Sequence, residues 1–308
     1  MRFAFTDEQL AFRDAVRGML DDLCGPDVVR AAWHSDTGRT GKLWTLLDEM
    51  GVFDVEEVEL ALVLTETGRA ALPEPVLEHG AVGLPALREA GVDVPAGAVV
   101  TVGLAGAPLV PYADTADLLV LEREGVLHAV DAASASLERR PSVDGSRRLF
   151  DVSWDTGTAL AADRELAFDR GALGAAAQLV GLGERVLTMA VGYATEREQF
   201  GVKIGTFQAV QHQLANARIA LEFARPAVTW ASWRVAQRDD DRSTYVSLAK
   251  ARAADAASLA CRAALQVHGA IGYTTEHDLH LWMKRVWALA AAWGDAGFHR
   301  ARIARAIL

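Results

Sequence analysis

Alanine dominates four stretches of the C-terminal half, 172–195, 206–237, 242–268 and 277–292, and each is long enough to cross a whole domain as one helix. Side chains this small exclude water only if helix axes approach closely. The pattern therefore predicts a tight four-helix bundle. Gly181 and Gly183 fall within the first stretch. They read as helix-packing positions, because no strand precedes them and the rest of a nucleotide-binding fingerprint is missing.

Upstream the character changes twice. Residues 1–95 read as an N-terminal helical domain. Thr6 and Gln9 form a capping box ahead of Phe12, Val16, Met19, Leu20 and Leu23 at helical spacing. A second helix carries Leu43, Trp44, Leu47 and Met50 and stops at Gly51. A third, Val55 to Thr67, is expected to stop at Gly68 before Pro73 and Pro75. Residues 96–157 hold short valine-rich runs, AVVTVGLAG, DLLVLEREGVLHAVD and RLFDVSWD, with Glu124-Gly125 at a hairpin tip. The expected chain is mainly α with a small β-domain, its C-terminal helical bundle occupying 158–308.

Charge removes several functions. A net charge of -10 opposes phosphate backbones and anionic membranes, so neither a nucleic acid nor a membrane is expected as partner. The uncharged run 96–113 is broken by glycine and proline, unlike a membrane span. The N-terminus turns acidic at once instead of showing a basic and then an apolar region, which predicts a cytoplasmic protein. Cys24 and Cys261 are too few and too far apart for a disulfide framework. Ser247-x-x-Lys250 spells part of a nucleophile motif whose other elements are absent. Glu276, His277 and His280 lack a third inward ligand, so no metal is expected. Asp239 to Asp241 read as a solvated turn.

Two glycine-broken helix ends carry more information. Arg197-x-Gln199-Phe200-Gly201 closes the first long helix, with Gly205, Gln208 and Gln211 following. Gln266-x-x-Gly269-x-x-Gly272-Tyr273-Thr274-x-Glu276 closes another. Together they resemble the acyl-CoA dehydrogenase family. LWTLLDEMGVF (43–53), LVLTETGRAALPEP (62–75) and the α–β–α order resemble it as well, so the likeness covers nearly the whole chain. In that family FAD lies across a subunit interface, its pyrophosphate and adenine against the neighbouring subunit. The resemblance implies that Arg197 pairs with the pyrophosphate and that Gln199 and Phe200 flank the cofactor. It further implies that Gln208 and Gln266 hydrogen-bond FAD and that Gly269 lets the main chain approach it. A planar guanidinium suits two anionic phosphates. Capping and core packing would explain Phe200 and the glycines, but not the whole set.

The departures from the pattern are equally specific. The family's proton-abstracting glutamate stands in a Glu-Gly pair near the C-terminus, and that pair falls on Trp293-Gly294. Members with the glutamate at the start of the first bundle helix would place it at Gly171. No catalytic residue is therefore expected, Asp295 and Asp169 being the nearest carboxylates. The Thr-Glu-Pro and Gly-Ser-Asp loop that covers the flavin ring has no counterpart in 97–155, and Ala270 replaces a motif glycine.

The expectation is thus a partner subunit resembling the small, non-basic chain of actinobacterial steroid-degrading acyl-CoA dehydrogenases, which are α2β2 heterotetramers. Such a chain would supply the ADP-binding half of a shared FAD site, with an acyl-CoA substrate and an electron-transfer flavoprotein or similar acceptor. A self-sufficient dehydrogenase using Asp295 or Asp169, and a flavin-free structural or binding protein, stay open as alternatives.

Overall fold

The structure is a computed structural model that describes residues 4–308. The first helix, α1 (Asp7–Leu23), opens on the expected capping box. The Thr6 hydroxyl accepts from the Gln9 amide at 3.2 Å, and the Gln9 side chain accepts from the Thr6 amide at 2.9 Å. A short α2 (Pro26–His34) follows, which periodicity had not marked. Next comes α3 (Lys42–Glu49), after which Gly51 turns left-handed at φ +77°. Then α4 (Glu57–Arg69) runs through Gly68 instead of stopping there, which corrects the sequence expectation. A Cβ at Gly68 would sit 2.2 Å from the Gln178 carbonyl oxygen, so this glycine serves a helix–helix approach. The chain turns instead at Ala71, φ +49°. A wholly buried π-helical turn, Leu77–Gly83, leads into α5 (Leu84–Glu89).

The β unit comprises β1 (Val100–Gly103), β2 (Val110–Pro111), β3 (Leu118–Arg123), β4 (Val126–Asp131), β5 (Ser136–Arg140), β6 (Leu149–Ser153) and β7 (Thr158–Ala159). They form two sheets, ordered β1-β3-β4-β7 and β2-β6-β5, with β1 parallel to β3 and the other pairings antiparallel. Glu124 and Gly125 make the β3–β4 turn with φ of 52° and 80°, the double left-handed geometry of a tight hairpin. A small core of Val110, Leu119, Leu121, Val130 and Phe150 lies within this unit.

The bundle is built from α6 (Arg164–Glu196), α7 (Gln208–Ala236), α8 (Arg242–His268) and α9 (Leu279–Ala291), and α10 (Ala296–Ile307) is appended. Between α6 and α7 lies a two-stranded hairpin, β8 (Glu198–Gln199) and β9 (Val202–Lys203). The packing reading of the glycines holds. A Cβ at Gly181 would lie 1.8 Å from the Thr65 carbonyl oxygen, and one at Gly183 would lie 2.6 Å from Leu221. Among the described residues no helix is long and apolar enough to cross a membrane.

Candidate cofactor and active site

The bundle brings the two motifs to one end. Since α6 and α8 are separated by one returning helix, their C-termini point the same way. Tyr193 at the end of α6 stacks on His268 at the end of α8, ring centroids 4.5 Å apart. His268 donates from Nδ1 to the Ala264 carbonyl at 2.8 Å, and its buried Nε2 has no partner. Burial lowers its pKa.

Beyond Tyr193 the backbone of Arg197 caps α6, while its exposed guanidinium makes no ion pair with any described residue. Phe200 sits at φ +55° beside Gly201 at φ +79°, and its ring is 93% exposed. Its one ring contact among the described residues is edge-on to Phe207 at 6.3 Å, so most of a large apolar ring on a strained turn is left open to solvent. The turn itself is firm. Gly205 lies where a Cβ would meet the Ala194 carbonyl at 2.9 Å, and Gln211 Nε2 donates to the Gly205 carbonyl at 2.9 Å. Gln208 opens α7, whose first amides have no side-chain cap, so a partial positive charge lies at its exposed start. Across the bundle end, Gln266 is exposed and Gly269 adopts φ +60°, ψ −137°, a conformation available in practice to glycine alone. Gln199 donates only to the neighbouring Glu198 carbonyl. An unpaired guanidinium, free helix amides, exposed amide side chains and an open glycine fit an elongated polyanion such as the ADP moiety of FAD.

The other half of a flavin site is different. Trp293 is 2% exposed, at φ +56°, and its ring lies flat against Gly171. A Cβ at Gly171 would come within 2.4 Å of that ring. The two positions where the family pattern places a glutamate are thus one volume, and the indole fills it. Phe168 packs beside it at 6.1 Å. The turn is fastened from the bundle side. Lys250 Nζ, fully buried, donates to the Ala290 carbonyl at 3.1 Å and the Gly294 carbonyl at 2.9 Å. His299 donates from Nε2 to the Trp293 carbonyl at 2.8 Å, so its Nδ1 accepts from Ser247 at 3.1 Å. Burial pushes Lys250 down to about 7 and His299 down to about 4. Ser247 and Lys250 therefore act as fasteners.

Neither nearby carboxylate is free. Asp295 caps α10 by accepting from the Phe298 amide at 2.8 Å. Asp169 lies two residues from Gly171, on the opposite face of α6. It is fully buried and accepts from Arg302 and from Ser243, both at 2.7 Å, with Arg242 at 3.3 Å. Burial raises its pKa, against the pull of Arg302 and Ser243. Among the described residues no three His, Cys, Asp or Glu side chains converge as a metal site: His277 packs on His268 and His280 on Trp33.

What remains between the β unit and α9 is a cavity of about 220 Å³, walled by Pro108, Leu109, Leu149, Ala288, Ala291 and Trp293. Ligand pockets span roughly 300–1,000 Å³, so this space does not hold a flavin ring together with a thioester. One wall residue, Arg147, belongs to a buried charged cluster that sequence reading missed. Arg285 of α9 is buried among Asp144, the Ser146 hydroxyl and the Leu72 carbonyl, and Arg147 donates to Glu78 at 2.9 Å. An arginine in the mostly apolar run LHLWMKRVWALAAA was its one visible signal. The residues thus fit the ADP half of FAD and do not fit the ring half.

Comparison with known proteins bears on family and fold. Residues 156–308 match the family model described as acyl-CoA dehydrogenase, C-terminal domain. The acyl-CoA dehydrogenase IpdE2 of Mycobacterium tuberculosis is 32% identical over 297 residues, 91% of each chain. IpdE2 of Mycolicibacterium smegmatis is 32% identical over 306 residues, 94% of this chain and 95% of that protein. In fold, the chain superposes with a TM-score of 0.89 on one chain of the ChsE4-ChsE5 complex from Mycobacterium tuberculosis, at 23% identity, covering 99% of this chain and 98% of the other. It does so equally, at 24% identity and 98% coverage of both chains, on a Tcur3481-Tcur3483 steroid ACAD variant. The chain belongs to the acyl-CoA dehydrogenase family of FAD-dependent flavoenzymes.

Proposed function

We propose that this chain is the non-basic partner subunit of a heteromeric FAD-dependent acyl-CoA dehydrogenase that acts on an acyl-CoA intermediate of steroid degradation. It supplies the ADP-binding half of a shared FAD site and no catalytic glutamate. The carrying observation is the Trp293 ring against Gly171, which closes both positions where the family pattern puts the base. Asp169 and Asp295, each tied to structural partners, argue against a self-sufficient enzyme. The likeness in fold to chains of two-subunit complexes supports the reading.

Bound FAD supplies the hydride acceptor for α,β-dehydrogenation, and the unlike subunit supplies ring pocket and base. The residues of this chain bind and orient. Arg197 pairs with the pyrophosphate, the uncapped start of α7 adds partial positive charge, and Gln208 and Gln266 hydrogen-bond the nucleotide. Phe200 and Gln199 cover it, and Gly269 admits it close to the main chain. The electron acceptor implied by this reading is an electron-transfer flavoprotein or similar protein.

The test is to purify the chain alone and after co-expression with an acyl-CoA dehydrogenase chain encoded beside it, and to record flavin absorbance and thioester oxidation. The lone chain is expected colourless and inactive, the pair yellow and active. Stoichiometric flavin with turnover in the lone chain would overturn the proposal. A colourless, inactive pair that does assemble would favour a flavin-free binding role.

A further inference from the structure

The cavity between the β unit and α9 is too small for a flavin ring with a thioester, yet it is not closed. Leu109 and Ala291 are exposed at its mouth, while Val102, Pro111 and Trp293 are buried and form its deep end. On the α9 side the wall is made of alanines, Ala288, Ala291 and Ala292, and side chains this small keep the space open. Surroundings so apolar give water few partners.

Among the described residues the lining holds one charged side chain, Arg147, which is 7% exposed. Its Nη2 donates to Glu78 at 2.9 Å, whereas Nε and Nη1 form no hydrogen bond with any described residue. Glu78 offsets part of the charge of Arg147, and Asp144 offsets that of the neighbouring Arg285. What remains on offer is therefore hydrogen-bonding capacity on a cation, enclosed by apolar walls. A carboxylate is the acceptor that uses it best. Size sets the other limit. An apolar cavity of roughly 150 Å³ takes benzene, so in proportion about 220 Å³ takes roughly nine non-hydrogen atoms.

We infer that this cavity binds a small apolar carboxylic acid as its free carboxylate, the acid group on the spare N–H groups of Arg147 and the hydrocarbon body against Trp293 and the α9 alanines. FAD or a coenzyme A thioester is far too large for the space, so the ligand is neither cofactor nor substrate. Occupied, the site joins the β unit to α9 through one molecule, and binding should raise the melting temperature of the chain. The inference makes no use of the partner-subunit reading.

The experiment titrates the full chain by calorimetry with cyclohexanecarboxylate, which matches the expected size, with its carboxamide, and with cyclohexylmethylammonium. The acid should bind at a single site per chain, about tenfold more tightly than the carboxamide, and the ammonium ion should not bind. The Glu78→Gln/Arg147→Gln variant removes both charges of the pair and leaves no buried carboxylate without its partner. It should hold the acid no better than the carboxamide. Ala288→Leu fills the cavity from α9 with Arg147 intact, and should weaken acid and carboxamide alike by about tenfold. Equal affinity of the wild type for acid and carboxamide overturns the inference, as does the absence of binding. So does acid binding that Ala288→Leu leaves unchanged, since the acid would then lie outside the cavity. If the paired glutamine variant does not fold, Ala288→Leu and the comparison of the three ligands decide by themselves.

Discussion

Whether Gly171 and Trp293 truly share one volume can be measured by a four-protein cycle: wild type, Gly171→Ala, Trp293→Ala and the double variant. Alanine inside a helix is favoured over glycine by about 1 kcal/mol. In the wild type that gain is outweighed, because the new Cβ falls 2.4 Å from the indole and one of the two must move. Overpacking of this kind costs about 1–3 kcal/mol, so Gly171→Ala alone should be neutral to destabilising by about 2 kcal/mol. Removing a ring that is 2% exposed should cost about 3–5 kcal/mol. Once the ring is gone, the same Gly171→Ala change meets open space and keeps its propensity gain, so it should stabilise by about 1 kcal/mol. The sign reversal corresponds to a coupling of about 1–3 kcal/mol. Urea unfolding followed by far-ultraviolet circular dichroism reads all four midpoints. An identical effect of Gly171→Ala in both backgrounds would refute the shared-volume argument, and the plugged-pocket reading with it.

Other outcomes follow from the same geometry. Trp293→Glu in the lone chain should gain no dehydrogenase activity with an artificial acceptor, and its melting temperature should fall, because a carboxylate replaces a buried ring in apolar surroundings. Arg197→Ala in the assembled pair should weaken FAD retention about ten- to hundredfold without preventing assembly, read by flavin released on dilution, since a charge-assisted bond to phosphate is lost. His299 sets a pH dependence. Its folded pKa is held near 4 by burial, with Lys250 and Arg302 adding to the effect, while the unfolded imidazole titrates near 6.5. Between those values the unfolded state takes up a proton and the folded state does not. Stability should therefore fall as pH drops from about 6.5 to 4, by at most about 3 kcal/mol from this group. His299→Gln should remove that share of the slope in urea unfolding measured across the window.

Much of the bundle was legible because alanine-rich helices announce themselves over long stretches. The predicted 242–268 coincides with α8, bounded by the aspartate turn and by Gly269 in its glycine-only conformation. Shorter elements were hidden. The nine residues of α2 carry too few turns for a period to show, and β5, SLERR, is a largely exposed polar strand on a sheet edge. The appended helix α10 has its sequence signal in Asp295, an N-cap residue as well as a carboxylate near the expected base position. Gly68 looked like a stop because local rules do not record a partner as distant as Gln178. At the site, the motif residues Arg197, Gln208, Gln266 and Gly269 were readable one by one, but the Tyr193–His268 stack that unites them depends on helix order. Likewise Gly171 and Trp293 were each noticed as missing glutamates, and only the fold makes them neighbours.

The fastening of the 293–295 turn bears on how such a chain changes over generations. Lys250 grips two carbonyls, His299 a third, and Asp295 starts the following helix. Placing a glutamate at 293 would leave that scaffold shaped around an indole, beside a cavity of only about 220 Å³. Several simultaneous replacements would be required, each harmful by itself. On the proposed reading, the turn works as an evolutionary ratchet: with the tryptophan settled, single steps do not lead back to a base, and selection on such a subunit acts on the surfaces it offers to others.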